Sequence, residues 1–137
     1  MKSARTVHLV LATFILLAAC AGERDKLQGT WRGQGSAGEP FTIVFRQDHS
    51  ALWITDRIPG VQDTLALHYT VDTTYIPKQI NVSGFTSGPL AGMTLYGIYE
   101  LEGIDSLRLD FEPGLPGQSV VRPHDFRPAV SIFTRSE

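Results

Sequence analysis

Three consecutive residues, Asp48-His49-Ser50, supply the side-chain types of a hydrolase triad: a carboxylate, an imidazole and a hydroxyl. Their spacing defeats that chemistry, because neighbours on a tight turn cannot stack as nucleophile, base and orienter. His68 falls on the outward face of an alternating stretch, and His49 and His124 show no metal-ligand spacing, so no zinc site is implied. The chain holds no Gly-rich phosphate loop, no nucleophile elbow and no recognisable glycosidase pair of carboxylates. Catalytic groups converging from separate strands would leave no linear trace, yet an enzyme is the least supported reading, and neither cofactor nor metal is expected. One residue keeps a chemistry of its own. Cys20 is the only thiol in 137 residues, so no intramolecular disulfide can form and stability must come from a core.

The surroundings of Cys20 give that thiol a use. Lys2 and Arg5 precede an apolar run from Leu9 to Leu17 and the small residues Ala18 and Ala19. This is the build of an export signal, and the run is shorter than the roughly 20 residues a spanning helix needs. The ending Leu17-Ala18-Ala19-Cys20 resembles a bacterial lipobox. That resemblance implies cleavage before Cys20, diacylation of its sulfur and an exported protein anchored to a cell-envelope membrane. Two or three acyl chains, at roughly 0.8 kcal/mol per buried methylene, hold a domain where one would not. The alternative is an ordinary signal peptide cut near Ala19 or Ala21, with Cys20 incidental. The expected division is therefore a signal over 1–19, an acylated tether over 20–28 and a domain over 29–137. Losing residues 1–19 removes Lys2 and Arg5, taking the basic count from 12 to 10 against 14 acidic residues and the net charge from −2 to −4. A mildly acidic surface argues against nucleic acid as a partner. Asn81-Val82-Ser83 matches a glycosylation sequon, a signal usually not read in a bacterial envelope.

The elements that must position any site are strands. From Met93 to Phe111 two alternating runs flank a short Gly/Asp turn: Leu95, Gly97, Tyr99 and Leu101 share one face, as do Leu107, Leu109 and Phe111. A lone hairpin is marginal in water, so its apolar face needs further strands. The run 41–47 alternates Phe41, Ile43 and Phe45 before a turn at 47–50 and a return over 51–55. After a loop over 57–63 a long strand over 64–73 turns Leu65, Leu67, Tyr69 and Val71 inward, and a short one centres on Ile80 and Val82. With a first strand opening at Gly29 and a last one over 129–135, about eight strands follow in up-and-down order. Eight is a number at which an antiparallel sheet can close and lose its edges. The thirteen Gly and eight Pro, spread through the chain, suit the frequent turns of an all-β fold.

Several motifs together resemble an uncharacterised family of lipocalin-like domains common in planctomycete-type bacteria. They are Leu27-Gln28-Gly29-Thr30-Trp31, then Gly97-Ile98-Tyr99-Glu100-Leu101 with Gly103 and Leu107-x-Leu109, then Arg122-Pro123-x-x-Phe126 ahead of the closing strand. The turn near Ile104 is a residue longer than the family pattern, and the loop from Glu112 to Val121 is extended. The resemblance implies an antiparallel lipocalin-like barrel and an export habit, and no reaction. It further implies that Trp31 plugs one end while Arg135, from the last strand, lies across its ring and bonds backbone carbonyls. Arg122, Pro123 and Phe126 are then a structural clasp, with the Pro fixing the chain, the Phe capping the core and the Arg finding a carboxylate or carbonyl.

Two functions fit such a barrel. It could hold a small apolar ligand in a cavity lined by Phe45, Tyr69 and Tyr99, although the same side chains could fill the interior solid. Alternatively it is an envelope interaction or inhibitor-like module without a ligand, presenting Trp53, Tyr96, Ile98 and Phe133 outward as a patch for a protein partner.

Overall fold

Eight stretches of alternating apolar residues become eight strands: β1 (Gly29–Gln34), β2 (Pro40–Phe45), β3 (Ser50–Ile58), β4 (Val61–Asp72), β5 (Lys78–Ser83), β6 (Leu95–Glu102), β7 (Ser106–Pro113) and β8 (Ser131–Ser136). In this computed structural model they form one closed antiparallel barrel in sequence order, β8 returning to pair with β1. The residues described are 26–35, 38–58, 60–113, 121–128 and 130–137. The expected export signal, Cys20 and most of the expected tether fall outside them, as does the greater part of the loop before Val121.

Closure solves two problems at once: every strand finds two neighbours, and alternate side chains are enclosed. The inward set includes Trp31, Ile43, Phe45, Leu67, Tyr69, Ile80, Val82, Tyr99, Leu107 and Phe133, all buried. Two inward positions are glycine for a steric reason. A Cβ on Gly97 would stand 2.6 Å from the Asp110 carbonyl oxygen and closer still to the Phe111 ring, while one on Gly33 would meet the Phe133 ring and the Ile132 carbonyl at 2.7 Å. Each glycine makes room for an aromatic ring from the neighbouring strand.

Up-and-down order places all odd-numbered connections at one end and all even-numbered ones at the other. The end holding the Gln47–His49, Thr73–Pro77 and Gly103–Asp105 turns is closed by Trp31, whose Nε1 donates to the Leu27 carbonyl at 2.8 Å. Arg135 lies 4.2 Å from the Trp31 ring centre and donates to the carbonyls of Gln28 (2.7 Å), Lys26 (2.6 Å) and Ile104 (2.7 Å). The arrangement expected from the first-strand motif is therefore present. Leu27, assigned above to the tether, is fully buried, so the folded unit starts before Gly29.

Other expectations need correction. The loop anticipated over 57–63 shrinks to a tip around Gly60, because β3 and β4 stay paired as far as Ile58 and Val61 through an irregularity between Asp56 and Ile58. Trp53 and Phe133 face inward, not outward. Trp53 pairs with inward Ile43 and Leu65, and Phe133 with inward Leu107, and directly opposed residues share a face. Ile98 does sit on the outer face but is buried, so no outward patch of Trp53, Tyr96, Ile98 and Phe133 forms.

Residues 121–128 form a strap that bonds β5, β6 and β7. Arg122 donates to the carbonyls of Ile80 (3.1 Å) and Gly97 (2.6 Å) and to Asn81 Oδ1 (2.6 Å), with its guanidinium 5.4 Å from the Tyr96 ring centre. Burial holds the Arg122 pKa below its usual value, against the nearby Tyr96, Asp72 and Tyr75. Pro123 follows, half-buried, and Phe126 departs from its expected role. It does not cap the core but lies under the Arg108 guanidinium at 4.4 Å on the outer surface.

Candidate functional site: a cavity in the open half of the barrel

The two halves of the barrel are filled differently. In the closed half, Phe45 and Tyr69 meet edge to face at 4.8 Å, and the Tyr69 hydroxyl donates to the Arg46 carbonyl at 2.9 Å. Phe45, Tyr69 and Tyr99 are all buried there, and none of them is in the wall of the cavity in the other half. They complete a packed plug instead. The residues expected to bind a ligand thus close the floor below the place where one would sit.

In the other half the interior opens into a cavity of about 650 Å³. Its apolar wall consists of Phe41, Ile43, Trp53, Leu65, Leu95, Leu109, Phe111 and Phe133, with Leu90 reaching in from the β5–β6 connection. That connection folds inward through Gly92 N–H to the Phe85 carbonyl (2.9 Å) and Met93 N–H to the Leu90 carbonyl (2.9 Å), which brings Phe85, Leu90 and Met93 down over the barrel. Trp53 is the centre of an aromatic group, with ring centres of Phe41, Phe85 and Phe111 at 5.4, 5.5 and 5.9 Å. Its indole N–H is buried among them and has no acceptor among the described residues. A buried donor in that state costs roughly 1–3 kcal/mol, so Trp53 is held by ring packing rather than by hydrogen bonding.

Polar groups gather toward the rim: Gln34, Glu39, Thr55, Asp63, Asp110, Arg127 and Ser131. Asp110 is a buried charged residue, at 3% exposure, on the outer side of β7 opposite Ile98. It sits where β7 and β8 part company, just past their last pair, Leu109 with Ser131. Arg127 closes the gap. Its backbone N–H donates to Asp110 Oδ2 at 3.0 Å, its Nε to both carboxylate oxygens, and its second guanidinium nitrogen to Asp110 and to the Phe111 carbonyl. Burial raises the Asp110 pKa, but the hydrogen bonds and charge of Arg127 outweigh it and hold the carboxyl below its usual range.

Elsewhere the Asp48–Ser50 turn is structural. Asp48 Oδ1 accepts directly from the Ser50 hydroxyl (2.6 Å) and backbone N–H (3.0 Å), bypassing His49, which has a φ of 68° and lies beside Tyr69. Among the described residues no group of three or more His, Cys, Asp or Glu is placed to hold a metal ion.

The cavity wall was partly within reach of the sequence. Carrying the inward phase of Phe41 and Ile43 across the β2–β3 turn puts Trp53 inside. Asp110 gave no such signal, because an acid between Leu109 and Phe111 reads as solvated until a strap from 17 residues later covers it. Comparison with protein-family models, curated proteins and solved structures gives no match to this chain.

Proposed function

We propose that this protein is an exported, acyl-anchored lipoprotein whose lipocalin-like barrel binds a small, largely apolar ligand by non-covalent capture, not catalysis. The cavity carries the reading. Its volume falls within the roughly 300–1,000 Å³ common for small-molecule sites, and an apolar wall with a few polar groups at the rim is the usual composition of such sites. Among the lining side chains described, Arg127 is engaged by Asp110, and Asp63 adds an exposed carboxylate to the rim. A neutral or cationic head therefore fits this rim better than an anionic one.

The test is titration of the purified chain with N-phenyl-1-naphthylamine, a neutral apolar dye that brightens when it leaves water. Saturable binding at micromolar dye is expected, and Leu65→Trp, which places a larger ring in the wall, should weaken it at least tenfold while leaving the melting temperature within a few degrees. Dye binding that ignores Leu65→Trp, or no binding at all, would remove the cavity as a ligand site.

A further inference from the structure

The closed end of the barrel carries a small apolar surface at the place where the chain from Cys20 arrives. Ile76, in the β4–β5 connection, is fully exposed; Ile104, in the β6–β7 turn, is 77% exposed and Tyr75 53%. These two connections flank the paired strands β5 and β6, so they are neighbours on one rim. Arg135 ties the arriving chain to the same place, because one guanidinium bonds the carbonyls of both Lys26 and Ile104. Two of the other large exposed apolar residues, Val61 and Ile132, lie apart from this rim. Val61 opens β4 and Ile132 lies on β8, on opposite sides of the ring, whereas Val121 precedes Arg122, which lies near Asp72 and Tyr75 at this same end.

We infer that this closed end rests on the lipid surface, with Ile76, Ile104 and Tyr75 entering the headgroup boundary and the cavity mouth pointing away from the membrane. The inference depends on the acylation of Cys20 proposed above. Six residue steps separate Cys20 from Lys26, which is roughly 20 Å at full extension. The anchor therefore keeps the closed end near the bilayer, and the apolar side chains decide which face turns down. Isoleucine side chains gain by leaving water, and a tyrosine ring suits the interface with its hydroxyl toward the headgroups. Charges around this rim are mixed, including Lys26, Lys78, Asp72 and Asp105, so the contact does not require anionic lipid. A ligand would then enter from the aqueous side rather than from the bilayer.

The full-length chain, expressed in a bacterium that acylates lipoproteins and reconstituted in phosphatidylcholine vesicles, allows a direct test. Once Cys20 is acylated it offers no thiol, so an environment-sensitive fluorophore can be placed singly through Ile76→Cys, Ile104→Cys or, at the mouth, Ser87→Cys. Spin-labelled lipid should quench the probes at 76 and 104 at least threefold more than the probe at 87. Equal quenching at the two ends, or more at 87, overturns the orientation. Mass spectrometry of the same samples separates the two ideas: a chain lacking the acyl mass on Cys20 removes anchor and orientation together, whereas an acylated chain with equal quenching removes the orientation alone.

Discussion

Arg135 shows how much one side chain can organise: its guanidinium stacks on Trp31 and bonds three carbonyls that belong to the arriving chain and to the β6–β7 turn. Replacing it strands those acceptors and uncovers the indole. Arg135→Ala should cost about 2 kcal/mol in urea unfolding, and Arg135→Lys should recover less than half, since an ammonium cannot span the same acceptors. Asp110 makes a different residue-scale case. Its folded pKa is lowered, so its contribution is complete above the unfolded value of about 3.9 and is lost as pH falls through the lower folded value. Asp110→Asn should therefore destabilise the protein at neutral pH and flatten the decline of melting temperature below about pH 4. Flattening should be incomplete, because Asp48 and Asp72, hydrogen-bonded by Ser50 and Thr74, are also shifted down. An unchanged acid limb in Asp110→Asn would show that the Arg127 contact is not formed in solution.

At the scale of elements, the hairpin of β6 and β7 carries both the core and its exception. Tyr99, Leu107 and Leu109 point inward, Gly97 yields its place to the Phe111 ring, and on the outer face the 121–128 strap bonds the Gly97 carbonyl and Asp110 while Glu100 and Glu102 stay exposed. Gly97→Ala should destabilise by about 1–3 kcal/mol, since the new methyl meets backbone as well as ring and β6 cannot shift without disturbing β5 and β7. Denaturant unfolding measures this, and a neutral result would mean that the Phe111 ring moves into the cavity. The strap itself is held by Arg122 on the Gly97 carbonyl and by Arg127 on Asp110.

For the whole molecule, the decisive asymmetry is between a closed half packed with Tyr69, Tyr99 and Phe45 and an open half left hollow around Phe41, Trp53 and Phe111. If the hollow takes a ligand, the rim sets its head group. A long-chain alkylamine should displace the naphthylamine dye more effectively, by at least threefold, than a fatty acid of the same chain length. The reverse order, in competition titrations at neutral pH and moderate salt, would show that the carboxylates of the rim do not govern selection.

Most of the architecture could be read from the chain alone, for a local reason. Alternation with period two, punctuated by Gly, Pro and Asp turns, is written residue by residue, and strands in up-and-down order pair with sequence neighbours. The stacking of Arg135 on Trp31 came through resemblance to a known motif, and the structure places it there. Register decided what alternation could not: one step of phase turned Trp53 and Phe133 inside, and pairing as far as Ile58 and Val61 replaced a loop. The cavity was beyond any linear reading, because a void is set by how side chains from all around the ring meet, not by the character of any one of them. Likewise Asp110 gained its ion pair and Phe126 its outer berth only when the strap folded back across the barrel.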